Sequence, residues 1–472
     1  MYSSQNTSHF GRIRQNISVR TPKRNKKTNA PPLVAHRLAR HFGKQPLEQL
    51  VTASRKFPVS ARIDLQFAVT KIFGEEFTAE LIGLHRRFGH ETMTFSELLT
   101  IDNYPALVAP LQHFEVDIGE LVPARCLSNG LWLSRSNDLR FALLLTPAIN
   151  YGRDSGTHLE IAVPPGEEGA ALSRRLFDEI EKLVKRATSY RGKVISLEQT
   201  DNYSGQAGSV RVHKLRSVSR RELVLPAKTL QLLERNVSEF IRQRGELRKL
   251  GMPVKKGLLF YGKPGTGKTH TIHYLASQLP DHTTLLITAE QVGLLDHYFQ
   301  LARFLQPSIV VIEDVDLIAR SRESMDSACE ESLLNKLLNE MDGLREDAEV
   351  IFVLTTNRPQ QLEAAIASRP GRIDQAIEFP LPDAAGRRQL VHLYACGLQV
   401  PENVVQEIVR RTENASGAFI KELMRRSAQF SLDNDQAGQL TLDDLTSALD
   451  EMLFSGGLLN AKLLGGPQIP IQ

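Results

Sequence analysis

Apolar residues fall into three successive patterns along the chain. From Leu33 to about His113 they recur at helical spacing in short segments, which predicts a small helical region. Between about Leu121 and Leu215 the pattern tightens into runs such as Leu131-Trp132-Leu133 and Phe141–Leu145. Asn129-Gly130 and Asn137-Asp138 supply turn chemistry there, so strands are expected. One helix interrupts them, with Leu172, Leu176, Ile180, Leu183 and Val184 on one face. An accessory helical and α/β region over 33–215 follows, with Trp132 and the phenylalanines assigned to its core. The glycine-containing stretch from Asp201 to Ser209 reads as a connection.

From Glu222 the character changes again. Leu230, Leu233, Val237, Phe240 and Ile241 mark a helix, and Gly257-Leu258-Leu259-Phe260-Tyr261 marks a buried strand. A second apolar run, Ile309-Val310-Val311-Ile312, has the continuity of a strand covered on both faces. After Leu381-Pro382-Asp383 the period is helical once more, around Leu390, Leu393 and Tyr394, then Val405, Ile408 and Val409, then Leu423 and Met424. These shifts divide the chain into a basic arm (1–32), the accessory region (33–215), a large α/β domain (220–382), a helical domain (383–455) and a tail (456–472). No internal repeat is visible.

Composition narrows the class. With 472 residues, more than one hydrophobic core is expected, and 41% hydrophobic with 24% charged residues is globular. Cys126, Cys329 and Cys396 are far apart, without the spacing of a zinc site or a disulfide framework. That fits a reducing, cytoplasmic setting, and no apolar run reaches the roughly 18 to 20 residues that span a bilayer. The net charge of +4 is uneven, because residues 1–47 carry ten Lys or Arg and no acid. Nucleic acid, an anionic membrane or an acidic partner would each suit such an arm, as would a transit peptide. A solvated tail is the preferred reading, since no nucleic-acid motif accompanies the charge.

Candidate chemistry begins directly after the strand at 257–261. Gly262-Lys263-Pro264-Gly265-Thr266-Gly267-Lys268-Thr269 is a complete G-x-x-x-x-G-K-[ST] phosphate loop in the strand-to-helix context it requires. Glycines let backbone N–H groups and a helix N-terminus approach phosphate oxygens. Lys268 then reaches the β- and γ-phosphates, and the Thr269 hydroxyl ligates Mg²⁺. The strand at 309–312 delivers Glu313 and Asp314 to its C-terminal end, where open α/β sheets bind ligands. Glu313 is assigned to the metal and Asp314 to the attacking water; Asp316 is assigned a structural role.

These motifs, together with Pro307–Asp316, Leu337–Gly343, Leu354-Thr355-Thr356-Asn357-Arg358-Pro359 and Ser368–Asp374, closely resemble the AAA ATPases over about half the chain. The resemblance implies a P-loop NTPase fold, a parallel sheet sandwiched by helices with a small α-helical lid; it does not reach the first 215 residues, where the apolar pattern gives a separate N-terminal α/β domain. It implies ATP and Mg²⁺ as ligands, and Asn357 as the strand-tip residue that senses the γ-phosphate. Arg369 and Arg372 become the pair reaching a neighbouring subunit's nucleotide, in a homo-hexameric ring acting on a protein client. Ser416-Gly417-Ala418 resembles the start of the lid helix that faces the nucleotide.

Two departures stand out. Most relatives have Asp then Glu where this chain has Glu313 then Asp314, an order that resembles the mitochondrial Rieske-protein translocase subfamily. The stretch from Thr269 to Glu313 is shorter than in polypeptide-threading relatives, and no aromatic-hydrophobic-glycine pore loop is recognisable in Gln291–Tyr298. No H-e-x-x-H protease signature is present. The expected function is ATP-driven remodelling of a protein or complex. A slowly hydrolysing assembly switch and a nucleic-acid-associated ATPase are the competing readings.

Overall fold

The computed structural model describes residues 32–86, 91–101, 104–150, 153–199, 207–316, 337, 339–360, 372–434 and 438–455. The basic arm and the tail after 455 lie outside these residues. Two compact units emerge, one formed mainly by residues up to 189 and the other by most of the remainder.

The first unit is built on a six-stranded sheet in the order β1-β8-β7-β6-β2-β3. Its strands are β1 (Val51–Phe57), β2 (Ala79–His85), β3 (Leu107–Ala109), β6 (Gly130–Ser136), β7 (Leu139–Asn150) and β8 (Arg153–Val163); β4 (His113–Val116) and β5 (Ala124–Leu127) form a separate hairpin. Among the described residues the strands of the main sheet pair antiparallel. Phe141–Leu145 are all fully buried, because both faces of β7 are covered. Ala142 and Leu144 join a core with Val34, Leu38 and Phe95. Trp132 and Phe141 stack near Phe73 of helix Arg62–Glu75 at 5.9 and 6.0 Å between ring centroids. Trp132 is therefore core, as its sequence context indicates.

The helical reading of 33–113 needs correction, since β1, β2 and β3 lie within it. Val51–Phe57 is mostly exposed, so it lacks the buried alternation that identifies a strand. Ala79–His85 is a short apolar run, which periodicity alone does not separate from helix. The interrupting helix occupies Glu167–Arg186 and buries Leu172, Leu176, Ile180 and Val184.

The second unit contains a seven-stranded sheet ordered β10-β9-β12-β13-β14-β11-β15. These strands are β9 (Val194–Gln199), β10 (Ala207–His213), β11 (Lys256–Tyr261), β12 (Thr283–Ile287), β13 (Ser308–Ile312), β14 (Val350–Thr356) and β15 (Gln375–Glu378). Among the described residues β9 and β11–β15 pair in parallel. All residues of β13 and β14 are buried, the mark of central strands covered on both faces. β9 pairs with β12, so residues grouped by pattern with the accessory region extend this sheet. At Gly257 a Cβ would meet the Arg372 carbonyl at 2.1 Å, so the close passage of the chain there needs glycine.

Four helices, Ala384–Ala395, Glu402–Arg411, Gly417–Asp433 and Leu442–Asp450, enclose a core of Val391, Val405, Ile408, Phe419, Leu423 and Leu445. Three of these helix starts carry side-chain caps, while Glu402–Arg411 follows Pro401 without one. Asp383 accepts from Gly386 N at 2.7 Å, Ser416 accepts from Phe419 N at 3.2 Å, and Thr441 with Asp444 forms a capping box.

At the opposite end of the sheet from its C-terminal strand tips, His282 sits 3.4 Å from buried Arg244, which also pairs with Glu349 at 3.6 Å. Burial lowers the His282 pKa below its usual value, and the Arg244 charge lowers it further. A depressed folded-state pKa means that stability present above the unfolded value, about 6.5, is lost as pH falls through the folded one. Denaturant midpoints measured at about pH 7.5 and about pH 5.5 should therefore differ less for His282→Gln than for the parent protein. Equal pH sensitivity in the two proteins would remove His282 from this role.

Candidate functional site

The sheet order places β14 between β11 and β13. The phosphate loop follows β11, the acidic pair follows β13, and Asn357 follows β14, so three strand tips meet at one C-terminal edge. Gly262 (φ 153°), Gly265 (φ 76°) and Gly267 (φ 100°) all take conformations that side chains resist. A Cβ on Gly262 would lie 2.2 Å from the Phe379 carbonyl. Gly267 is the N-cap of helix Lys268–Gln278, whose first N–H groups face the loop.

Lys268 is buried and donates to the carbonyls of Gly262 at 2.8 Å and Lys263 at 3.1 Å, and to Asn357 Oδ1 at 2.7 Å. Asn357 Nδ2 in turn donates to Asp314 Oδ1 at 2.9 Å. One amide thus bridges the lysine and the second carboxylate. Thr269 Oγ1 donates to Glu313 Oε1 at 2.9 Å. Burial lowers the Lys268 pKa from its usual value, opposed by the charges of Asp314 and Asp316. Thr266 closes the loop on itself by donating to the Lys263 carbonyl at 2.8 Å; Pro264 lines the cavity beside it.

Neighbouring residues hold this bridge, among them Asp316, whose structural role was expected from the sequence. Asp316 is buried and accepts from Thr356 Oγ1 at 2.8 Å and from Asn357 N at 3.1 Å, fixing the tip of β14. Thr355 Oγ1 accepts from Asp314 N at 3.0 Å. Asp314 itself has φ 48°, the left-handed region, so the strand turns sharply at the carboxylate. The Thr-Thr-Asn sequence carried a signal, because adjacent hydroxyls at a strand end can satisfy a neighbouring loop.

A cavity of about 440 Å³ opens over these groups. Gly417 and Ala418 line it, and Ala418 N donates to the Gly265 carbonyl at 3.2 Å. The tight position is Gly265, where a Cβ would be 2.8 Å from both Ala418 Cβ and Ser416 Oγ; at Gly417 the space is ordinary. Leu223–Pro226 and Tyr394 supply an apolar wall that motif reading did not find. Tyr394 registered in the sequence only as one more apolar position of a helix.

Arg372 does not line this cavity. It pairs with Asp342 at 2.5 Å and contacts Asn339 Oδ1 at 3.3 Å. Arg369 lies outside the described residues. Magnesium nucleotide fits what is present: a glycine cradle that a Cβ would fill, a cation that now satisfies itself on loop carbonyls, and paired hydroxyl and carboxylate oxygens of the kind Mg²⁺ prefers. The cavity volume falls within the range of small-molecule sites, about 300–1,000 Å³.

Comparison with known proteins agrees with this geometry. The family model described as "ATPase family associated with various cellular activities (AAA)" matches residues 258–381. The proteasome-activating nucleotidase of Methanothermobacter thermautotrophicus is 34% identical over 218 residues, covering 43% of this chain and 52% of the relative. That of Methanosphaerula palustris is 31% identical over 239 residues, covering 46% and 57%. The ATP-dependent zinc metalloprotease FtsH 2 of Sphaerobacter thermophilus is 32% identical over 237 residues, covering 48% and 36%. The chain thus spans roughly half the length, or less, of these relatives.

Replacing Asp316 with Ala should leave the Thr356 hydroxyl and Asn357 N–H without their acceptor. A loss of about 1–3 kcal/mol is expected, the usual cost of stranded buried donors, read from urea unfolding. Unchanged stability would show that Asp316 does not hold the strand tip.

Proposed function

Residues 258–381 are an ATPase domain of the AAA family, an ATP-hydrolysing module, and from that premise we propose that this protein uses Mg-ATP hydrolysis to remodel a protein or protein complex. The observation that carries the reading is the hydrogen-bonded chain from Lys268 through Asn357 to Asp314, beside the Thr269–Glu313 pair. Bound Mg-ATP supplies the reactive phosphoanhydride and the divalent charge. Lys268, exchanging loop carbonyls for phosphate oxygens, neutralises negative charge on the transferred group. Thr269 and Glu313 hold the metal and its waters. Asp314 draws the proton from water, and Asn357 keeps that carboxylate and the lysine in register.

Gly262–Thr269 cradle the phosphates and Gly417–Ala418 close over the nucleotide from the lid. Arg369 and Arg372 act on a neighbouring subunit's nucleotide, which requires a ring, a homo-hexamer on the family pattern. The likeness to proteasome-activating nucleotidases, whose name ties nucleotide to a protein machine, supports a protein client. Among the described residues no helix is long and apolar enough to cross a membrane. A cytoplasmic setting is the corresponding proposal.

A slower, switch-like ATPase is the second reading. Asp314 reaches one methylene less far than glutamate and is already engaged by Asn357. Displacing a catalytic group by about 1 Å can cost on the order of 10²-fold in rate. Comparing single-turnover with steady-state rates separates the two: a chemical step much slower than product release identifies the switch.

Lys268→Ala and Asp314→Asn should each reduce magnesium-dependent ATP turnover by about 10²-fold or more, in line with removal of one transition-state group. Full activity in both variants would refute the site. Mixing Arg369→Ala subunits with Asp314→Asn subunits should restore part of the turnover lost in each alone. Absence of rescue in rings shown to contain both subunits would count against an arginine acting across the interface.

A further inference from the structure

Arg372 is expected to serve a neighbouring subunit, yet its guanidinium is turned onto its own. Its side chain is only 11% exposed, with Nη2 2.5 Å from the Asp342 carboxylate and 3.3 Å from Asn339 Oδ1. Both partners follow the acidic strand β13 in sequence, and Asp342 ends the segment leading toward β14. Arg372 therefore ties the β13–β14 connection to the chain entering β15.

The tie is of a kind that can be exchanged. Both contacts use Nη2, so the arginine is held by one nitrogen rather than by the two-pronged fork that carboxylates and phosphates accept best. Nη1 is buried and has no hydrogen-bond partner among the described residues, an unmet donor that a better acceptor would satisfy. Asp342 is half exposed, at 49%, so its side of the pair is screened by water. A cavity of about 370 Å³, lined by Lys255, Lys256, Asp342, Glu346, Arg372 and Asp374, leaves room for the guanidinium to swing.

We propose that Asp342 is a positioning residue that parks Arg372 within its own subunit, and that ring closure exchanges this carboxylate for the phosphate group of the adjoining copy's nucleotide. The inference rests on the ATPase reading and adds a regulated step to it. An isolated subunit keeps its arginine occupied, and assembly must first break the internal pair. Each subunit therefore binds its neighbour less tightly than the same interface with a free arginine, by the fraction of time the arginine is parked. ATP occupancy and ring assembly become coupled through one ion pair.

The test compares the full chain with Asp342→Asn, Asn339→Ala, Arg372→Ala and Asp342→Asn/Arg372→Ala, each with ATP and Mg²⁺ across a protein concentration series. Mass photometry reads assembly, phosphate release reads turnover, and thermal unfolding reads folding. Asp342→Asn should reach half-maximal assembly at about one-third of the parent concentration or less, with turnover per subunit raised about threefold at low concentration. Asn339→Ala, which removes the longer contact, should move both readouts the same way by a smaller factor. The double variant should behave like Arg372→Ala.

If Asp342→Asn does not fold, the Asn339→Ala shift decides, and its absence overturns the parking role. Assembly and turnover at or below the parent level in both Asp342→Asn and Asn339→Ala also overturn it, because a merely structural brace only loses by such changes. A double variant that keeps the gain of Asp342→Asn overturns it as well, since the gain would not pass through Arg372. Were the parent to assemble with nucleotide but release no phosphate, the hydrolysis reading would fail while the assembly shift still judged the ion pair.

Discussion

A single side-chain amide carries the geometry of the site. Asn357 accepts from the Lys268 ammonium and donates to the Asp314 carboxylate, joining the loop after β11 to the carboxylates after β13. Both bonds involve a charged partner, which makes them roughly twice as strong as neutral ones. Such a bridge works only if the amide sits between the groups it joins. The sheet order meets that demand, because β14 runs between β11 and β13 and ends at the same edge. Asp316 then clamps the tip through Thr356 and the Asn357 backbone, so the amide has little freedom to drift.

The same economy governs the approach of the lid. Gly265 has no side chain because Ser416 and Ala418 occupy the space, and the Ala418 amide closes the contact by donating to the Gly265 carbonyl. The Ser416 hydroxyl caps the helix that brings Ala418 there. Local chemistry at a helix start is thus also the seam between lid and phosphate loop.

Burial on both faces is what gives the central strands their character. β13 and β14 are apolar at every turn except where Ser308, Thr355 and Thr356 use their hydroxyls, and those hydroxyls are spent on holding neighbouring backbone or on Asp316. The first unit solves the same problem with a different sheet, its β7 buried on both faces between two layers of side chains. Its described residues contribute no group to the nucleotide-sized cavity.

The amino-acid order alone determined the phosphate loop, the acidic pair and the helical lid, because each depends on short-range requirements: glycines where φ is positive, apolar runs that demand double burial, caps that start helices. Asn357 was marked as a strand-tip residue only through the resemblance to the AAA ATPases. Tertiary structure decided the rest. β1 and β2 were not legible, since an exposed strand and a short apolar run lack a distinguishing period. The membership of β9 in the second sheet depended on a partner far along the chain, β12. Tyr394 and the Asp342–Arg372 pair acquire their roles from neighbours brought together by the fold, and Asp316 and Thr355, though marked locally, acquire their partners the same way.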